Sequence, residues 1–264
     1  MTTREVADPS LYLDINCDMG EGFGRYTLGN DAELMPLITS ANIACGWHAG
    51  DPRVMRETVQ MAVDQGVAVG AHIGFPDLLG FGRRRMQVTL QEVYDYTLYQ
   101  AGALMAFAQA AGSRIQHVKP HGAFYVICSE DPEMAAVLCR AIKVLSETLI
   151  LVMMGDVARK AAAEVGIPYG AEGYIDLDYD GRGRLVLERH KQARDPEEVA
   201  QRAERLVKEH KVRATDGTAL TMVVNTVCIH GDAPNAPAIA RTVRERLLTS
   251  GIEVRPLGQF IESQ

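Results

Sequence analysis

Asn42-Ile43-Ala44-Cys45-Gly46-Trp47-His48-Ala49-Gly50-Asp51-Pro52 runs a short apolar strand signal into a turn that holds an imidazole, a carboxylate and two glycines. Pro52 opens a helix predicted over 53–65, where its missing N–H costs nothing. Asp51 is placed to cap that helix. Small residues in the turn let a ligand approach backbone, and the only tryptophan, Trp47, stands beside His48. Strand ends that empty polar groups into glycine-rich turns are where α/β proteins place their chemistry.

Working outward, the same design recurs. A strand predicted over 11–17 (Leu11, Leu13 and Ile15 alternating) carries Asp14, Asn16 and Asp18 into Gly20-Glu21-Gly22. Val67 to His72 empties into Gly74 and then Gly80-Phe81-Gly82-Arg83-Arg84. Ile115 to Val118 leads to Lys119-Pro120-His121-Gly122, and 168–177 ends in Glu172-Gly173-Tyr174-Ile175-Asp176. Thr221 to Val227 leads to His230-Gly231-Asp232. Helical patterns over 31–38, 89–111, 131–145, 156–165, 195–210 and up to 248 separate these strands and a further one at 149–154. Asp180-Gly181 sits between extended residues and predicts a small hairpin over 178–189. Residues 252–254 add one more short strand.

Alternating strands and helices with no linker between them predict one α/β domain over residues 1–264. A barrel and an open doubly wound sheet both fit that alternation. Polar groups follow nearly every strand, not only those beside one crevice, which favours a single-domain TIM-like barrel with about seven parallel strands.

Composition narrows the function. The 264 residues are 47% hydrophobic and 23% charged, ordinary for a soluble globular protein. A net charge of −7 with only short basic clusters gives no sign of nucleic-acid or anionic-membrane binding. Five cysteines without a CxxC pair read as reduced, mostly buried thiols, Cys17 and Cys45 included. No apolar segment approaches membrane-spanning length, and the expected location is the cytoplasm.

In a parallel barrel all strand C-termini open on one face, so these turns converge despite their distance in sequence. The candidates are Asp14, Asn16, Asp18 and Glu21; Asn42, Gly46, His48 and Asp51; His72, Asp77, Arg83 and Arg84; Lys119 and His121; Glu172 and Asp176; His230 and Asp232. A lone turn aspartate is more often a cap, which is the better reading of Asp31, Asp51 and Asp131 taken singly. Histidines at several equivalent strand ends argue as a set for a site; His117, His190 and His210 stand apart from it. Lys119 at a partly desolvated strand end suits an anionic group or a lowered-pKa base. Arg83 and Arg84 can fork an anion. Asp18, His48 and His72 compose a set that could hold a divalent metal, without any tight ligand spacing. There is no phosphate-binding glycine loop of the Walker or GxGxxG kind.

Taken in order, Asp14-x-Asn16-Cys17-Asp18-x-Gly20-Glu21, the stretch from Asn42 to Pro52, Gly70-Ala71-His72, Gly80-Phe81-Gly82-Arg83-Arg84, Lys119-Pro120-His121-Gly122-Ala123 and His230-Gly231-Asp232 resemble the LamB/YcsF family over nearly the whole chain. The resemblance implies a distorted TIM-like barrel of the glycoside hydrolase/deacetylase kind. It also implies one component of a bacterial ATP-dependent 5-oxoprolinase that opens 5-oxo-L-proline to L-glutamate together with two partner subunits, using ATP with Mg²⁺. Under it, Asp14, Asn16, Asp18, His48, His72, Lys119, His121 and Asp176 are the expected catalytic residues. Glu21, Asn42, Gly46, Asp51, Arg83, Arg84, Glu172, His230 and Asp232 are the expected substrate-binding ones. Lys119 and Arg84 would neutralise developing charge, the histidines would move protons, and the aspartates would orient them or bind Mg²⁺ with nucleotide. Around Glu172 the family pattern is matched by Asp176, Tyr179, Gly183, Leu185 and Arg189. Leu177 stands where the family has arginine, and Tyr174 where it has phenylalanine; Leu177 cannot make an arginine's fork contact. Two other readings remain: a metal-dependent deacetylase-like amide hydrolase using Asp18, His48 and His72, and a non-catalytic lactam-binding subunit. Homo-oligomerisation is left open.

Overall fold

A computed structural model describes residues 12–186 and 192–261; Leu11, Arg189, His190 and Lys191 lie outside the described residues. Seven strands close into a barrel: β1 (Tyr12–Met19), β2 (Ser40–Ala44), β3 (Ala68–Ile73), β4 (Ile115–Pro120), β5 (Ile150–Met153), β6 (Tyr169–Tyr174) and β11 (Thr226–Ile229). Each pairs in parallel with the next, and β11 pairs with both β6 and β1, so the sheet has no free edge among these strands. A last strand, β12 (Glu253–Val254), adds in parallel to Tyr12 and Leu13 at the start of β1.

Helices α2 (Pro52–Asp64), α3 (Leu90–Ala110), α5 (Pro132–Leu145), α6 (Asp156–Val165), α7 (Pro196–Glu209) and α8 (Ala236–Thr249) return the chain between strands. Their starts obey local rules: Asp51, Asp131 and Asp195 accept hydrogen bonds from first-turn amides, and Thr89 and Glu92 form a capping box. The outward residues of β1, Leu13, Ile15, Cys17 and Met19, are fully buried in the apolar layer beneath these helices. Each such side chain contributes about 1.5–3 kcal/mol by leaving water. No helix among the described residues is long and apolar enough to cross a membrane. The five cysteines are buried free thiols.

Three segments differ from the sequence expectation. The helical pattern at 31–38 becomes one turn of α1 (Asp31–Leu34) followed by a 3-10 turn, Met35–Leu37, at Pro36. Residues 122–130, which carry no cap and a run of aromatic and β-branched side chains, form helix α4 (Gly122–Glu130) because their apolar face is buried. The strand expected over 221–227 is split: a hairpin of β9 (Lys211–Arg213) and β10 (Ala219–Thr221) precedes β11. The hairpin expected at 178–189 is present as β7 (Asp178–Tyr179) and β8 (Leu185–Val186), with Asp180 accepting from the amides of Arg182 and Arg184.

The interior of the barrel is polar. With a side-chain period of two, β1 sends Asp14, Asn16 and Asp18 inward at three heights. At the lowest, Asp14 accepts from Thr39 Oγ1 (2.8 Å), Ser40 Oγ (2.6 Å) and the Thr226 hydroxyl. In the middle, His117 Nε2 donates to Asn42 Oδ1 (2.7 Å), and Asn42 Nδ2 donates to Asn16 Oδ1 (2.8 Å) and Asp18 Oδ1 (2.9 Å). Asn16 Nδ2 donates in turn to Thr226 Oγ1 (2.7 Å), joining the layers. His117 fits only because β3 carries Gly70 opposite it: a Cβ there would lie 2.0 Å from Nε2. Each layer is internally satisfied, as a polar core requires.

Burial raises the Asp14 carboxyl from 3.8 to about 6 against the three hydroxyls that donate to it. A carboxyl with a folded pKa above its unfolded value favours folding below the unfolded pKa, and that contribution is lost as pH rises through about 6. The stability of the wild type minus that of Asp14→Asn should therefore fall by about 3 kcal/mol between pH 4 and pH 7.5 in urea titrations.

Candidate active site

At the C-terminal mouth of the barrel is a cavity of about 560 Å³, lined among others by Asp18, Glu21, His72, Arg83, Lys119, His121, Tyr125, Tyr174, Leu177, His230 and Asp232. Lys119 forms its base. It is 2% exposed, and its Nζ lies 2.7 Å from Glu172 Oε1, 3.1 Å from Asp18 Oδ1, 3.1 Å from Asn16 Oδ1 and 3.2 Å from Cys228 Sγ. Burial pushes the ammonium down, but Asp18 and Glu172 outweigh it and hold Lys119 well above the usual lysine range. The lysine is therefore a fixed cation and not a base. Glu172 is completed by the hydroxyls of Tyr125 (3.0 Å) and Tyr174 (2.9 Å).

Across the cavity, Asp176 Oδ2 accepts from the His230 amide (2.8 Å) and its carboxylate from Nδ1 (3.0 Å). That arrangement fixes Nδ1–H and leaves Nε2 as the acceptor. The His230 ring stacks on Tyr174, 5.6 Å between centroids.

The other three mouth histidines form one cluster. His72 Nδ1 donates to Lys119 O (3.0 Å) and His121 Nε2 to Phe81 O (2.8 Å). Their remaining nitrogens, His72 Nε2 and His121 Nδ1, face each other at 2.9 Å. His48 lies flat against His121, 3.9 Å between ring centroids, with Nε2 3.6 Å from Glu21 Oε1. Burial pushes His48 and His121 well below the usual imidazole range. Gly82, at φ +62°, sits so close that a Cβ would be 2.7 Å from His48 Cβ.

The structure brings most of the expected residues to one end of the barrel, in different capacities. Asp18, Glu21, His72, Arg83, Lys119, His121, His230 and Asp232 line the cavity; Glu172 and Asp176 stand one contact behind it, on Lys119 and His230. Asn16 and Asn42 do not reach the cavity: they are fixed in the middle layer and hold Lys119 and Asp18. Four expectations are corrected. Asp14 is two strand positions below Asn16, enclosed by hydroxyls, and so is out of reach of a ligand. Asp51 caps α2 and accepts from the Gly24 amide, so its carboxylate is already used. Gly46 makes a turn at φ +89°, closed by its amide on Ala49 O. Arg84 turns outward, 67% exposed, onto Asp77, which leaves Arg83 as the arginine of that pair at the cavity. The expected metal set also shifts: the carboxylate that clusters with His48, His72 and His121 is Glu21, whereas Asp18 is engaged by Lys119 and Asn42.

Sequence reasoning missed His117, Cys228, Tyr125 and Tyr174. Inward periodicity from Lys119 and His230 marks the first two. Tyr125 carried no signal, because the helix that delivers it was itself unread.

Removing one member of a buried ion pair strands the others. Lys119→Met should lose about 3–5 kcal/mol at pH 7.5, and adding Glu172→Gln should restore part of that loss. Urea denaturation of the two variants beside the wild type measures both effects.

The LamB/YcsF family model matches residues 13–262. A protein from Syntrophobacter fumaroxidans, named as the first subunit of 5-oxoprolinase, is 47% identical over 94% of this chain and 99% of its own length. One of the same name from Thermococcus onnurineus is 47% identical over 95% of this chain and 100% of its own. A crystal structure described as a lactam utilization protein from Thermus thermophilus superposes with a TM-score of 0.86 at 45% identity, covering 92% of this chain and 99% of that one. With this barrel and a match that runs almost end to end, the chain belongs to the LamB/YcsF family.

Proposed function

We propose that this chain is the lactam-opening subunit of a cytoplasmic, ATP-dependent 5-oxoprolinase that works with two partner subunits and converts 5-oxo-L-proline to L-glutamate. The observation that carries this reading is a strand-end cavity in which a buried cation, Lys119, and an aspartate-held histidine, His230, face the same space. It occurs in a chain whose full-length relatives are named as 5-oxoprolinase subunits.

An unstrained lactam is a poor electrophile, so coupling to ATP hydrolysis supplies the driving force for ring opening. In the step assigned to this cavity, His230 Nε2 takes a proton from water as the water oxygen bonds to the ring carbonyl carbon. The ring C–N bond then breaks, and the nitrogen receives a proton and leaves as the amine of the product. Lys119 faces the negative charge that develops on the former carbonyl oxygen, with Asn16, Asp18 and Glu172 keeping its Nζ in place. Asp176 holds the His230 tautomer. Arg83, which rests 3.7 Å from Asp232 at the rim, is the cation suited to a substrate carboxylate. Leu177 offers an apolar wall for ring methylenes where the family pattern has a second arginine.

The cavity does not fit a nucleotide triphosphate. The Lys119 charge is already met by two carboxylates, and the Ala123 amide at the start of α4 is spent on Gly82 O (2.9 Å). We therefore assign ATP and its Mg²⁺ to the partner subunits and route no step through them here.

The test is a coupled assay of ATP consumption and glutamate formation, with and without the two partners. Glutamate should appear only in the complete mixture, and turnover of another lactam in place of 5-oxoproline would overturn the substrate assignment. In the complete mixture His230→Ala should lower kcat about 10²–10⁴-fold with little change in KM. Asp176→Asn should act in the same direction.

A further inference from the structure

The His48–His72–His121 cluster has no part in the step above, yet it is the most demanding arrangement of side chains in the molecule. Two carbonyl oxygens, which can only accept, take the N–H of His72 and of His121. The lone pairs left over, on His72 Nε2 and His121 Nδ1, are turned toward each other at 2.9 Å. Two lone pairs at that distance repel unless a cation lies between them. Neither ring nitrogen of fully buried His48 has a hydrogen-bond partner among the described residues. Glu21 Oε1 lies 3.6 Å from His48 Nε2 and 3.9 Å from His121 Nδ1. One ligand atom from each of the four residues falls within 4.8 Å of the others.

We propose that Glu21, His48, His72 and His121 form a binding site for one divalent first-row transition-metal ion, zinc or a metal of similar preference, at the wall of the cavity. Three imidazoles and one carboxylate are a borderline nitrogen-rich donor set, which selects such ions over Mg²⁺ or Ca²⁺. An ion about 2.1 Å from both His72 Nε2 and His121 Nδ1 subtends an angle near 90° at their 2.9 Å separation, within the range of metal geometries. His48 is the ligand that must turn, because its ring now lies parallel to that of His121. The second shell is built: Lys119 O and Phe81 O hold the two tautomers, the arrangement that orients metal-bound histidines. Glu21, His72 and His121 line the cavity, so the ion would keep a face toward whatever occupies it. The other cluster of metal-type donors, Asp18, Cys228 and His230, is different, because the Lys119 ammonium already sits 3.1–3.2 Å from its Asp18 and Cys228 atoms. The site rests on these side chains alone and not on the identity of the substrate.

The test needs no turnover. Chelator-stripped full-length protein is mixed with Zn²⁺ or Co²⁺, passed over a desalting column and analysed for metal by mass spectrometry. Wild type and His230→Ala should each retain about one equivalent, and His72→Ala and His121→Ala about tenfold less. X-ray absorption at the zinc edge of the wild type, which requires no variant, should show nitrogen and oxygen neighbours with imidazole scattering and no sulfur. Wild type that fails to retain either ion, a sulfur neighbour pointing to Cys228, or a folded His121→Ala that keeps its full equivalent would each overturn the proposal. Failure to retain metal while the complete mixture still forms glutamate would leave the lactam reading standing and remove only the metal site.

Discussion

A lysine ammonium buried at the base of the barrel mouth sets the terms for much of this structure. Lys119 can remain charged there only because Asp18 and Glu172 are within ion-pair distance. Those two carboxylates are in turn tolerable only with partners of their own. Glu172 takes the hydroxyls of Tyr125 and Tyr174, and Asp18 takes Asn42. Asn42 is held by His117, and His117 needs the missing side chain of Gly70. One charge thus specifies residues on β1, β2, β3, β4 and β6 and on α4. A half-satisfied network of this kind is worse than an apolar core, so its members stand or fall together.

The same network divides the mouth of the barrel into two halves of different character. On one side, Lys119 and the Asp176–His230 pair present a fixed cation and a proton acceptor to the cavity. On the other, three imidazoles and Glu21 crowd together with two lone pairs opposed. Burial keeps His48 and His121 neutral, so the crowding is not relieved by charging them. The Lys119 carbonyl, which orients His72, links the halves.

Much of the site was legible because strand periodicity is local. Asp14, Asn16 and Asp18 had to share a face, as did His117 and Lys119, whatever the rest of the chain did. Equivalent strand ends in a parallel barrel must also converge. That is why Lys119, His72, His121 and His230 could be grouped although they span more than half the sequence. Depth was harder to read: periodicity puts Asp14 and Asp18 on the same face, but only barrel closure makes one a buried floor and the other part of the cavity. Loop side chains were less legible still. Arg83 and Arg84 are neighbours in one turn, and which of them faces the cavity depends on where Asp77 captures the other. The helix bearing Tyr125 forms against intrinsic preference, because burial of Phe124, Ile127 and Cys128 outweighs it.

The sequence by itself determined the alternation of strands and helices, the inward face of each strand, the caps at Asp51, Thr89, Asp131 and Asp195, and the residue types delivered to the barrel mouth. All of these follow from contacts within a few residues. Only the tertiary structure decided which of those residues meet: Glu21 rather than Asp18 beside His48, Arg83 rather than Arg84 at the rim, and Glu172 rather than a substrate as the partner of Lys119. These pairings join strands and loops distant in the chain. Their distances are set by barrel closure and by the close approach that Gly70 and Gly82 permit.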